Sequence, residues 1–167
     1  MKPRRSKTPD EALAALMRLT ARAEKCEADA LRLMRGWGVA PEEAQRVLAR
    51  LVRDRFIDNA RYTTIFVREK LNLSGWGAYK IRTALKRKQI ADELIETALR
   101  EQADPEKMAA RLDSQLQRKA RTVKAKTPYD RRTKLIRYGL SLGYTYEMVM
   151  EAVGRLTPET EPLCDDF

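Results

Sequence analysis

Apolar residues along this chain recur every three or four positions, the period of a helix that is buried along one face. Met108, Leu112, Leu116, Ala120 and Val123 draw one such stripe, and Ile81 and Leu85 draw another, answered downstream by Leu94, Ile95, Ala98 and Leu99. No segment keeps the two-residue alternation of a half-buried strand. The punctuation agrees. Thr8-Pro9-Asp10-Glu11 joins a capping residue, a proline at the first helical position and a glutamate that closes a capping box. Asp58, flanked by Ile57 and Tyr62 at staple spacing, opens a further helix, as do Pro41, Asp104-Pro105 and Thr127-Pro128. Gly38 and Gly143 suit left-handed helix ends. The expected helices cover about 9–25, 28–36, 41–54, 58–72, 77–88, 92–102, 105–125, 128–142 and 146–156.

One layout occurs three times. A helix ends at Val39, at Ile90 and at Tyr144, and a new amphipathic run starts within a few residues of each. These positions lie 51 and 54 residues apart. The expected fold class is therefore all-α: an elongated tandem array of three three-helix modules at 9–57, 58–103 and 104–157, with a basic flexible arm at 1–8 and an acidic tail at 158–167. Modules this small bury little alone, so neighbours are expected to share stability. An array of this kind suits a long or repetitive partner.

Composition narrows the function. Gly and Pro number 7 each, which favours helices. No apolar run approaches the roughly 18 residues of a membrane span, so a cytoplasmic protein without a membrane partner is expected. Cys26 and Cys164 form no CxxC and read as free thiols. There is no histidine, so His-based triads and His-containing metal sites are excluded. No GxxxxGK[ST] loop is present, and the two Gly-Trp-Gly triplets lack dinucleotide spacing. Glu42-Glu43 and Asp92-Glu93 fall in helix first turns, where negative charge suits the dipole. The expectation is a binder rather than an enzyme, with no cofactor and no metal, acting as a monomer.

The net charge of +10, from 34 basic and 24 acidic residues, points to an anionic partner. The strongest cluster is Arg118, Lys119, Arg121, Lys124, Lys126, Arg131, Arg132, Lys134 and Arg137, nine cations within residues 118–137 against the single acid Asp130. A second is Lys80, Arg82, Lys86, Arg87 and Lys88, cations flanking the Ile81–Leu85 stripe. Trp76 and Tyr79 precede it, placed either to stack on a partner or to pack the helix corner. Arg61 and Arg68, seven residues apart on one helix face, are candidates to extend that surface. The bland alternative for each cluster is a solvated face.

Phe56-Ile57-Asp58-Asn59-Ala60-Arg61-Tyr62, Phe66-Val67-Arg68, Gly75-Trp76-Gly77, Lys80-Ile81-Arg82, Leu85-Lys86-Arg87-Lys88 and Ile90 together resemble the middle repeat of the RecX family, bacterial regulators of the RecA recombinase. The match spans about 35 residues; elsewhere it rests on length, helicity and the triple repeat. Asn59, Lys80 and Gln89 depart from the family pattern, and Gln89 stands where glycine ends the helix, so that corner is expected to be set differently. The resemblance implies three tandem three-helix modules. It also implies a non-catalytic protein that binds the RecA–single-stranded DNA filament and limits its growth, ATP hydrolysis and strand exchange, thereby modulating DNA repair and recombination. The cationic residues would face RecA or DNA. The alternative is a helix-turn-helix or single-strand DNA-binding protein acting on nucleic acid directly.

Overall fold

A computed structural model describes residues 6–157, and everything structural below concerns those residues. They form nine α-helices and no strand: α1 (Pro9–Thr20), α2 (Glu27–Gly36), α3 (Pro41–Arg53), α4 (Asn59–Asn72), α5 (Ala78–Arg87), α6 (Asp92–Gln102), α7 (Pro105–Thr122), α8 (Pro128–Ser141) and α9 (Tyr146–Leu156). The acidic tail expected at 158–167 and the first five residues of the basic arm lie outside the described residues. The rest of that arm is held in place. Lys7 donates its backbone N–H to the Trp37 carbonyl at 2.9 Å, and its ammonium lies 5.4 Å from the Trp37 ring centroid.

The chain divides into two compact units, Met1–Val67 with Ala84–Ala98, and Arg68–Thr83 with Leu99–Phe167. Helices α4, α5 and α6 each contribute to both. In the first unit, Ala12, Leu16, Ala30, Met34, Val47, Leu48, Leu51 and Ile57 pack as one core. Leu16, Met34, Leu51 and Ile57 are fully buried, and truncating such a side chain to alanine costs about 2–5 kcal/mol. In the second unit, Leu112, Leu116, Leu135, Tyr144, Val149, Ala152 and Val153 do the same, with Met108, Ala120 and Val123 packed against them. The stripe read on α7 is thus the core face of that helix. Ile81 and Leu85 are also fully buried.

Local chemistry sets the helix ends. Thr8 and Glu11 make both bonds of the capping box, and Asp58, Asp104 and Thr127 each accept a first-turn N–H. Three helix ends in the first unit close alike. Gly38, Arg55 and Gln89 all have positive φ (76°, 60° and 57°). Each donates its N–H to the carbonyl three residues back, while the next residue bonds the carbonyl five back. This is the Schellman closure. Gln89 therefore does not reset its corner, contrary to expectation. It adopts the left-handed geometry that glycine would take, at a steric cost that glycine avoids.

Two helices stop earlier than expected. α1 ends at Thr20 rather than near 25, because Cys26 is fully buried as the N-cap of α2 and Glu24 is engaged by Arg61; the chain must leave the helix to place both. α7 ends at Thr122 rather than near 125. Val123 is extended, and the carbonyls of Ala120 and Lys124 accept hydrogen bonds from Arg131 and Lys134 on α8.

Candidate partner-binding surfaces

Several basic residues of the first unit meet its own acids. Arg61, at the start of α4, donates Nε–H to Glu24 at 2.7 Å and Nη2–H to the carbonyls of Arg55 and Phe56. The hydrogen bond to Glu24 holds its proton more firmly than usual, against a smaller opposing effect of burial. Beside it, Asn59 accepts the Glu27 N–H at 3.0 Å and so caps α2, whose own N-cap Cys26 offers no capping bond. Lys88, at the end of α5, bonds Asp29 at 2.7 Å and lies 5.8 Å from the Tyr62 ring centroid.

Asp29 is only 7% exposed. Burial pushes its carboxyl upward, but hydrogen bonds from Lys88, the Cys26 thiol and Arg32 outweigh that and leave it below the ordinary carboxylate value. Lys88 is shifted upward: burial lowers it, and the bond to the Asp29 carboxylate and its charge more than compensate. Burial raises the Cys26 thiol, so it stays protonated. Of the remaining cations here, exposed Lys86 meets Asp92 at 3.3 Å, and Arg87 is exposed with no ion-pair partner among the described residues.

Arg87 lies on the rim of a cavity of about 680 Å³, together with Arg32 and Arg35 of α2, above a floor that includes Leu31, Val39 and Ala44. The local sequence does not mark Arg32 and Arg35, because two arginines three apart on a short helix look like any solvated face. The signal that could have found them is that both recur close to the Gly38 helix end, where the next helix begins and a concavity forms.

The second unit carries the Gly-Trp-Gly corner and the α7–α8 segment. Trp76 is half-buried, with the ammoniums of Lys80 and Lys70 at 4.6 and 4.8 Å from its ring centroid, so it packs the corner beneath cations. The corner is a backbone junction. Gly77 donates its N–H to the Leu142 carbonyl at 2.7 Å, Tyr79 donates to that of Gly143 at 3.1 Å, and a Cβ on Gly77 would overlap the Gly143 carbonyl. The Tyr144 hydroxyl donates to the Gly75 carbonyl at 3.1 Å beneath it. Arg82 and the 70%-exposed Tyr79 line a groove that also includes Met108, Tyr146 and Met148. Arg68 is exposed at the point where α4 enters this unit.

Along residues 118–137 the cations separate into two groups. Arg131 and Lys134 close the end of α7, and Lys134 also meets Asp130 at 2.9 Å. Arg132 donates to the Thr157 carbonyl at 3.2 Å, and the Lys119 ammonium lies 5.2 Å from the Tyr138 ring centroid. The side chains of Arg118, Arg121, Lys124, Lys126 and Arg137 are exposed and make no ion pair within 4 Å among the described residues, although Asp130 accepts the Lys126 N–H at 3.2 Å and the charge of Arg137 helps hold the Asp130 carboxyl low. Lys119, Lys134 and Arg137 also border a shallow groove of about 320 Å³ over Val123 and Tyr138.

Among the described residues, no group of three or more His, Cys, Asp or Glu could hold a metal ion, and no helix is long and apolar enough to cross a membrane. The class defined is a helical-repeat protein whose outward chemistry is cationic. Two family models cover more than half of the chain: RecX, second three-helix domain, over residues 58–99, and RecX, third three-helix domain, over 106–153. The chain belongs to the RecX family.

Relatives named "Regulatory protein RecX" agree. That of Chromohalobacter salexigens is 28% identical over 150 residues, covering 86% of this chain and 91% of the relative. That of Trichlorobacter lovleyi is 34% identical over 89 residues, covering 53% and 57%. That of Streptococcus uberis is 28% identical over 120 residues, covering 70% of this chain but only 44% of the longer relative. The fold matches the crystal structure of RecX from Lactobacillus salivarius with a TM-score of 0.73 at 16% identity, over 89% of this chain and 96% of that one. A second structure, of regulatory protein RecX, matches with a TM-score of 0.77 at 22% identity, over 86% and 73%.

Proposed function

We propose that this protein is a non-catalytic regulator that binds the RecA–single-stranded DNA filament and limits its growth, ATP hydrolysis and strand exchange. The two family matches carry the reading. The exposed cations Arg118, Arg121, Lys124, Lys126 and Arg137 support it, since guanidiniums and ammoniums in no internal ion pair fit an anionic surface such as acidic protein or DNA phosphate. Three modules at 9–57, 58–103 and 104–157, acting as a monomer in the cytoplasm, would let one chain engage successive protomers through effective concentration.

Inhibition requires the protein to prefer one state or end of the filament, because a ligand of equal affinity shifts nothing. The test is co-sedimentation with RecA–single-stranded DNA filaments, with RecA-only and DNA-only arms, alongside RecA's DNA-dependent ATPase. The expected result is preferential binding to the filament and a lowered ATPase. Unchanged ATPase at saturating protein, or bare DNA bound as tightly as the filament, would replace this reading with direct nucleic-acid binding.

A further inference from the structure

Arg32, Arg35 and Arg87 converge on one concavity, and this calls for a physical reason. They rim the cavity of about 680 Å³ in the unit Met1–Val67 with Ala84–Ala98. Like charges gathered on one rim repel unless an anion sits among them. The lining's only acid is Asp29, and it is already taken: Lys88 holds it at 2.7 Å, leaving Arg32 a long 3.5 Å contact. Arg35 and Arg87 have no ion-pair partner among the described residues. The net positive rim is therefore uncompensated from within.

The floor decides the class of anion. Leu31, Val39 and Ala44 are apolar, and no aromatic side chain lines the cavity. Single-stranded nucleic acid is held by stacking its bases on aromatic rings while cations track its phosphates, and only half of that is present here. An apolar floor beneath a guanidinium rim is the arrangement of a protein-docking pocket: a buried anchor side chain surrounded by charge-assisted, bidentate carboxylate contacts.

We propose that this cavity docks a short acidic–apolar segment of a partner protein, with a leucine-sized side chain on the Leu31–Val39–Ala44 floor and carboxylates on Arg35 and Arg87. The site lies mostly before residue 58, where the matched family domains begin. It does not depend on the RecA reading, and its test contains no RecA.

The probe is a dye-labelled peptide alternating aspartate and leucine, titrated with the full chain and followed by fluorescence anisotropy. The double variant Arg35→Glu/Arg87→Glu should weaken binding by about tenfold or more, whereas Arg22→Glu/Arg46→Glu, an equal charge change at exposed positions off the cavity, should change it by less than about threefold. Gln45→Trp, an exposed lining position, fills the cavity without altering charge and should cost about as much as the first double variant. With the unaltered protein, replacing either the aspartates by asparagine or the leucines by serine should each abolish most of the affinity.

Equal losses in the two double variants would reduce the effect to non-specific charge. Wild-type binding by Gln45→Trp would remove the cavity from the account. An oligothymidylate that displaces the peptide and loses affinity in parallel across the variants would assign the cavity to nucleic acid instead.

Discussion

Lys88 and Arg118 are both basic residues near the end of a helix, yet the fold uses them in opposite ways. In the first unit, Lys88 and Arg61 meet acids from distant parts of the chain, Asp29 and Glu24, and tie separate segments together. In the second, Arg118, Arg121 and Arg137 are exposed without such partners among the described residues. The lesson is that a cation's role is set by whether folding brings a half-buried carboxylate within reach. A paired cation next to a desolvated acid is structural, because removing it strands a charge. An unpaired cation in water contributes little to stability and is free to meet an anionic partner.

The largest effect should come from breaking the paired side. Lys88→Glu places a second negative charge against Asp29 and should destabilise by about 3 kcal/mol, read as a drop in denaturant midpoint with little change in slope. The pH dependence sharpens this. Asp29 is depressed in the folded state, so its contribution is present above the ordinary carboxylate value and fades as pH falls through its lowered one. Lys88 is raised, so its contribution persists below the ordinary lysine value and is lost only as pH climbs through the raised one. The stability gap between wild type and Lys88→Ala should therefore be widest near neutrality and narrow in acid. A gap that stays flat down to strongly acidic pH would show that the pair is not its source. A triple reversal of Lys86, Arg87 and Lys88 would confound folding with binding, so Arg87 alone is the informative change in that run.

Next in size is the opposite experiment. Arg118→Ala, Arg121→Ala and Arg137→Ala combined should lower affinity for the RecA filament by about tenfold, or about 1.4 kcal/mol. The salt dependence should weaken too, and the melting temperature should hold within about 2 °C. Co-sedimentation across a salt series and a thermal melt read both quantities. Full binding by this variant would leave the second unit's free cations as a solvated face.

Arg61→Ala should cost about 1 kcal/mol of stability, since it removes one partly exposed ion pair and leaves the Arg55 and Phe56 carbonyls to be satisfied by water. Its effect on filament binding should be no larger than its effect on the folded fraction. A binding loss that exceeds the unfolding would move Arg61 back to the surface where sequence reasoning placed it.

Periodicity and caps made the helices legible, because both are written within a few residues of where they act. Thr8, Asp104 and Thr127 cap as read, and the 108–123 stripe is a core face. What stayed hidden was non-local. Nothing around Arg61 announces Glu24, 37 residues away, and nothing around Lys88 announces Asp29, 59 residues away. The same distance hid the early end of α1, which is imposed by where Glu24 and Cys26 must go. Gln89 shows the converse. A departure from the glycine pattern left the backbone turn unchanged, because the two closing bonds at Gln89 and Ile90 fix the geometry and the side chain only adds strain. The cavity rim sets Arg87 beside Arg32 and Arg35, more than 50 residues away in sequence and beyond any local pattern.

Lys134 tests the boundary between the two groups, with the smallest expected effect. It lies in the most basic stretch of the chain, yet it bonds Asp130 at 2.9 Å and the Lys124 carbonyl at 2.8 Å. Its side chain is 42% exposed, so these contacts are screened and the residue sits between the half-buried clamp of Lys88 on Asp29 and the exposed Arg118. If internal engagement decides a cation's role, Lys134→Ala should lower the melting temperature by about 2 °C or less and weaken filament binding by less than about threefold. The stability loss would arise mainly from the uncapped end of α7. A binding loss as large as that of the three free arginines together would show that Lys134 leaves Asp130 for the partner. Exposure, rather than pairing, would then be what separates the two regions.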